Sequence, residues 1–310
     1  MAPLPVPPHV FTLREDRLRY ARLPRANGGV DVAELQEVEL GPEAIAEGTL
    51  GGTVRDASVV GGRLRELLAA VSSEVNEASL VLPDDWIRLA FAEVGELPRA
   101  ARARDEVLRW KLRRLIPFRV EDLRLRARSV PPLANQEEPG RVLLAFAMES
   151  VLAQLEQLFA AAGVRLGQVS NASLALLEGV RATVEPLDLA AILYARQADY
   201  SLMFVHQGDP VIYRYKGAVA ELPAEIRESQ VVRDLKLTRK FVHDRLEGVR
   251  LRRVVLAAPT STDAWWREQL GEVFGVPVTG FAELGGLAAA AGRPAPEDLA
   301  PMMGAACRSA

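Results

Sequence analysis

One pattern recurs along this chain and narrows its architecture more than any other feature. Two apolar runs joined by a short turn are followed by a long helix and then by another apolar strand. In the first copy the runs are residues 9–13 and 17–23 around the turn Arg14-Glu15-Asp16, as expected of a hairpin. A helix is predicted over 58–74 from Leu64, Leu67, Leu68 and Val71, and a strand over 79–82 is stopped by Pro83. In the second copy the strands are 189–195, 200–205 and 211–215, with Gly208-Asp209 between the last two. A helix over 224–246 and a strand over 253–257 complete it. Two such halves in 310 residues fit a prior of about 150 residues per domain.

An insertion separates the copies. Residues 87–94 alternate as a strand, and Pro98 and Arg99 open a helix to about Leu115, stopped at Ile116-Pro117-Phe118 because proline disfavours helix in the residue before it. Residues 123–128 alternate leucine and alanine with arginine, a half-buried strand with a wet arginine face. A turn at 135–140 leads to a strand at 142–148 and a helix over 149–162, with Gly163 as its stop. The predicted module has three strands and one helix.

Composition bounds what such a chain does. Its 38 basic and 41 acidic residues leave a net charge of −3, which argues against a general nucleic-acid binder. Its one cysteine, Cys307, excludes an internal disulfide framework and fits a reducing compartment. The start of the chain has no signal-peptide pattern, and apolar runs such as 189–195 are far short of the ~20 residues of a spanning helix.

The run Glu106-Val107-Leu108-Arg109-Trp110-Lys111-Leu112-Arg113-Arg114-Leu115-Ile116-Pro117-Phe118, followed by Val120-Glu121-Asp122-Leu123, resembles the inserted subdomain of the PilM family. The helix segment 154–164 and the small-residue stretch 299–306 are similar to that family's link to the second half and its closing helix. PilM proteins are cytoplasmic, actin-like relatives of FtsA that serve the inner-membrane platform of type IV pili. The resemblance implies an α/β, actin-like (ribonuclease H-like) duplicated two-lobed fold with an inserted small α+β subdomain. Residues 1–185 would form the first half, with the insertion at about 79–148, and 186–310 the second. It also implies a peripheral place at the inner membrane through a PilN-like bitopic protein, whose cytoplasmic N-terminal peptide would lie extended in a groove beside the module. Ile116, Pro117 and Phe118 are the candidate apolar wall for that peptide, and Arg113 and Arg114 the candidate charge partners.

Actin-like ATPases grip phosphates between two hairpin turns, each needing a small residue whose backbone amides reach the anion. Here the family's aspartate and glycine in the second hairpin are matched by Tyr194 and Arg196, and the first hairpin, from His9 to Asp16, has no glycine. The glycine pair that lets adenosine approach is matched by Ala257 and Ala258, followed by Pro259, which lacks a donor N–H. The expectation is a pseudo-ATPase with no cofactor and no catalytic residue.

Other signals read blandly. Gly51-Gly52-Thr53 and Gly61-Gly62 are expected in loops, and Asp84-Asp85 in a turn rather than as an acid–base pair. His9, His206 and His243 lack metal-ligand spacing, and Ser170, Ser173 and Ser201 lack a nucleophile motif. One of Trp265 and Trp266 is expected in the core. Residues 99–128 hold eleven basic and four acidic residues, an excess that marks either a docking surface or a solvated arginine face. The alternatives are an actin-fold ATPase or kinase with a rearranged site, an FtsA-like scaffold, and the cytoplasmic domain of a type II secretion platform protein.

Overall fold

The alternation at the start of the chain becomes an antiparallel hairpin of β1 (His9–Leu13) and β2 (Arg17–Arg22), with Phe11 opposite Tyr20. The computed structural model describes residues 7–14, 16–26, 29–48, 50–132, 140–197, 199–217, 223–284 and 299–307. The turn expected at 135–139, most of the proline-rich lead-in and the tail at 308–310 lie outside the described residues.

After β2, two short paired strands, β3 (Arg25–Ala26) and β4 (Gly29–Val30), lead to β5 (Glu34–Glu39), which lies antiparallel to β2. A second small hairpin, β6 (Ile45–Glu47) and β7 (Gly52–Val54), precedes α1 (Ala57–Ala70). The Asp56 carboxylate caps α1 by accepting from the Ser58 and Val59 amides, and Val60, Leu64 and Leu67 form its buried stripe. β8 (Glu77–Leu82) then lies parallel to β1.

The inserted module comprises β9 (Arg88–Glu93), α2 (Ala101–Arg113), β10 (Leu123–Val130) and β11 (Arg141–Met148), in an antiparallel sheet of order β10-β11-β9. The strand at 79–82 therefore belongs to the first lobe, and the module's own sheet begins at Arg88. Leu108 and Leu112 of α2 pack with Leu144 and Phe146 in a core of the module's own. Ahead of Pro117 the helix tightens, with the Leu115 and Ile116 amides both donating to the Leu112 carbonyl. α3 (Glu149–Ala161), stopped by Gly163 at φ +83°, returns the chain to the first lobe through β12 (Arg165–Asn171), parallel to β8. α4 (Ala172–Val184) follows.

The second lobe repeats the plan. β13 (Leu189–Ala195), β14 (Asp199–His206) and β15 (Asp209–Gly217) form a meander, α5 (Ala224–Arg245) crosses, and β16 (Leu251–Ala257) pairs parallel to β13. α6 (Asp263–Phe274) and β17 (Val278–Gly280) complete the lobe, and α7 (Leu299–Cys307) ends the described chain. The sheet orders are β12-β8-β1-β2-β5 and β15-β14-β13-β16-β17. Reversing the second aligns meander with meander and parallel crossover with parallel crossover, so the halves are topological duplicates.

The lobes share one core. Val10 and Val81 of the first and Ile192 and Tyr194 of the second meet α4 and α7 in a single cluster with Leu176 and Met302. The helices touch backbone to backbone: a Cβ on Gly304 would lie 2.1 Å from the Ala175 carbonyl oxygen. Although late in sequence, α7 thus packs on the helix that joins the lobes.

Candidate functional site

The two hairpins and the ends of the parallel strands converge on one point between the lobes. Thr12 and Arg14 come from the first hairpin, Val81 to Pro83 from the end of β8, Ala172 from the start of α4, Tyr194 from β13 and Pro301 from α7. The space they enclose is about 10 Å³. That is room for about one water, whereas a nucleotide-sized ligand needs a pocket of several hundred Å³. Tyr194 is 4% exposed, and burial holds its phenol protonated, with a pKa raised to about 12.

Beside this point a buried arginine ties the lobes together. Arg196, just past β13, donates from Nε to Asp199 at 2.7 Å and from its terminal nitrogen to Asp85 at 2.8 Å, with a further short bond to Asp199. Asp85 belongs to the loop after β8, so the pair joins first lobe to second. The three side chains are 7%, 16% and 10% exposed. Burial alone would lower the guanidinium pKa; the bonds to Asp199 and the charge of Asp85 outweigh it and raise the value. The Arg196 amide donates to the Asp199 carbonyl, and the Tyr215 hydroxyl donates to the Asp199 carboxylate. Backbone groups and charges of the second hairpin turn thus bind each other.

Asp84, next in the same turn, is 2% exposed. Its carboxylate accepts from the Ser173 amide at 3.0 Å, the Ser173 hydroxyl at 2.6 Å and the Ser201 hydroxyl at 2.5 Å. Ser173 lies in the first turn of α4, where exposed amides favour an anion. Burial nonetheless pushes the Asp84 carboxyl above its ordinary value, although those hydrogen bonds pull the other way. Burial also raises the nearby Tyr213 phenol, helped by the Asp84 charge. Residues 84 and 85 do form a turn, as expected, but the buried Asp84 and the half-buried Asp85 both also bond across to the second lobe. Sequence reasoning passed over Asp84, Ser173 and Ser201, because they lie 28 to 117 positions apart and share no motif.

An open groove of about 570 Å³ reaches from Arg196 and Asp199 between α5 and α6, lined also by Lys216, Arg227, Asp234 and Trp265. Lys216 pairs with Asp234 at 3.2 Å. Ala257 is buried at the end of β16, and Ala258 packs on the second lobe's core. The Pro259 carbonyl accepts from the Thr262 amide as the chain turns into α6.

The proposed partner residues separate. Ile116 and Phe118 are half-buried, packed against the module core by the turn around Pro117. Arg113 pairs with Glu121, while Pro117 stays exposed. Arg114 lies 4.2 Å from the Trp110 ring centre.

Gly51 lies in a loop as expected, whereas Gly52, Gly61 and Gly62 depart from expectation. Gly61 and Gly62 lie inside α1, where the cap and apolar stripe overcome glycine's poor helix propensity, and Gly61 lets Leu158 approach. Gly51 turns the β6–β7 hairpin at φ +61°, and Gly52 starts β7. The Trp86 ring covers both so closely that a Cβ on Gly52 would lie 2.0 Å from it. His9 bonds the Tyr20 hydroxyl and His206 the Asp188 carbonyl, and no metal-binding cluster of His, Cys, Asp or Glu occurs among the described residues. Trp266 is core, packed on Tyr200. No helix among the described residues is long and apolar enough to cross a membrane.

Two duplicated lobes, each a meander with parallel crossovers, around a central point and with an inserted module, are the actin-like fold. The chain superposes with a TM-score of 0.71 on a chain of a PilM–PilN type IV pilus biogenesis complex, over 89% of this chain and 88% of that one at 16% identity. A Bacteroides thetaiotaomicron VPI-5482 protein with an actin-like ATPase fold follows at a TM-score of 0.50, 11% identity, over 88% of this chain and 91% of that one. The cytoplasmic domain of EpsL, an inner-membrane component of the Vibrio cholerae type II secretion system, is looser, at 0.46 and 13% identity over 81% and 82%. No protein-family model matches the chain, and no curated protein matches it in sequence. The PilM chain and the Bacteroides protein share the actin-like fold with this chain.

Proposed function

We propose that this chain is a non-enzymatic, PilM-like scaffold of a pilus or secretion platform, and that it works without bound nucleotide. The observation that carries this reading is the Arg196–Asp85–Asp199 lock beside a central space of only about 10 Å³. A triphosphate seated there would have to break two buried ion pairs and displace Tyr194. The partner in this reading is the cytoplasmic N-terminal tail of a PilN-like inner-membrane protein. It is supported by the fold shared with the PilM–PilN complex and by the inserted module, and it puts the chain at the cytoplasmic face of the membrane. The module has its own core and a three-stranded sheet with open edges, suited to hold an extended peptide along a strand edge.

A nucleotide-binding alternative has one observation in its favour, the open groove beside α5 and α6. Calorimetric titration with ATP and magnesium separates the two. The scaffold reading expects no binding heat, and a one-to-one isotherm accompanied by phosphate release would overturn it. Retention of synthetic N-terminal tails of single-span platform proteins on the immobilised chain is the matching positive test.

A further inference from the structure

We propose that the groove between the inserted module and the second lobe docks an acidic peptide segment carrying leucine or aromatic side chains, supplied by a partner protein. The groove measures about 460 Å³. Lys111, Arg114 and Leu115 at the end of α2 form one wall, and Phe241 and Arg245 near the end of α5 form the other. This inference does not depend on whether the point between the lobes binds nucleotide.

Charge selects the partner. Six of the eleven basic residues in 99–128 are ion-paired: Asp105, Glu106, Glu121 and Asp122 pair with Arg109, Arg102, Arg113 and Arg119. Arg124 takes Glu149 and Glu156, and Arg128 takes Asp209. Lys111 and Arg114 lie instead over the Trp110 ring, at 5.3 and 4.2 Å from its centre, and Arg245 lies 5.7 Å from that of Phe241. Among the described residues lining the groove, Glu93 alone is acidic. Cations held over aromatic faces keep their N–H groups for an incoming carboxylate, and such bonds are charge-assisted.

Apolar exposure points the same way. Leu115 is 53% exposed and Phe241 42%, large apolar side chains that line the groove, and Trp110, beneath Lys111 and Arg114, is 48% exposed. Side-chain anchors in a recess flanked by charge are the usual energetic centre of peptide recognition. The recess is also fixed in place, because Arg128 pairs with Asp209 and Arg141 donates to the Val211 carbonyl at 2.7 Å across the same junction. A preformed concave site loses little entropy on binding. Its concavity favours a chain segment over a bilayer, which meets convex faces.

The test is to pan random phage-displayed peptides of about twelve residues against the full chain and to titrate a labelled winner by fluorescence anisotropy at low and high salt. The recovered peptides are expected to be rich in Asp and Glu interleaved with Leu, Phe or Trp, and to bind more weakly as salt rises. Lys111→Glu with Arg114→Glu, and separately Arg245→Glu, should each weaken binding at least about tenfold, with thermal unfolding unchanged. Leu115→Ser with Phe241→Ser should weaken it with the salt dependence kept. Recovery without acidic bias, no enrichment, or undiminished binding by the charge-reversed chains would overturn the inference. So would binding to phosphatidylserine vesicles, lost on charge reversal, with no peptide recovered.

Discussion

Replacing Arg196 with methionine removes the charge but keeps much of the volume. The cation that Asp85 and Asp199 share, at side chains 16% and 10% exposed, is then gone. Breaking a buried pair by removing one partner costs ~3–5 kcal/mol. That two carboxylates lose one cation argues for the upper half of that range, and the Tyr215 hydroxyl that remains on Asp199 for somewhat less. An expectation of about 4 kcal/mol is a large part of a typical stability of ~5–15 kcal/mol. At roughly 2–4 °C per kcal/mol it lowers the melting temperature by on the order of 10 °C. The assay is urea unfolding followed by tryptophan fluorescence, backed by amide exchange, which should quicken around residues 84–86 and 196–201 before the rest of the chain. Neutralising the carboxylates as well, in Arg196→Met with Asp85→Asn and Asp199→Asn, should recover about 2 kcal/mol or more, since the uncompensated charges are gone. A single variant within ~0.5 kcal/mol of the parent, the scale of an ordinary surface substitution, would refute the claim that this arginine locks the lobes.

Further outcomes follow from the same core. Because the folded-state pKa of Asp84 is raised above its ordinary 3.8, the folded chain holds that proton more tightly than the unfolded one. Its contribution is therefore full below 3.8 and is lost as pH rises through the raised value. Asp84→Asn, which still accepts from the Ser173 amide while the serine hydroxyls rotate to accept from its NH₂, should be most favourable relative to the parent at neutral pH. A parent-minus-variant difference in urea midpoint that stays flat across pH would sink this. Gly304→Val would place a Cβ about 2.1 Å from the Ala175 carbonyl oxygen, which is backbone and cannot step aside. The expected loss is at least ~1–3 kcal/mol, read by thermal melting; an unchanged melt would mean that α4 and α7 can separate freely.

Much of the fold was legible. The alternation and helical spacing place most strands and helices within a few residues of where they lie, because one-sided burial imposes those periods. The strand β12 and the helix α4 escaped. Arg165–Asn171 is an edge strand with polar residues on both faces, and Ala172–Val184 is apolar nearly all round because it is buried between lobes. Gly61 and Gly62 misled because residue type was weighed without the stripe that surrounds them. At the site, Tyr194 and Arg196 were legible as substitutions in a hairpin turn. Asp84 and Asp85 were visible only as a turn, since nothing local reveals that their partners arrive from residues 173, 196 and 201. The basic run was legible as an excess, but which cations stay available depends on Glu149, Glu156 and Asp209, which lie outside it.

The order of side chains along the chain by itself determined the duplicated plan, the inserted module and the lack of glycine where a phosphate would need backbone amides, since each rests on contacts between near neighbours. Only the tertiary structure decided that Arg196 reaches Asp85 and Asp199 beside the small space between the hairpins, that α7 packs back on the first lobe's side, and that Lys111, Arg114 and Arg245 face one groove. Those outcomes join residues far apart in sequence, and burial and charge pairing act on distance in space, which local periodicity does not encode.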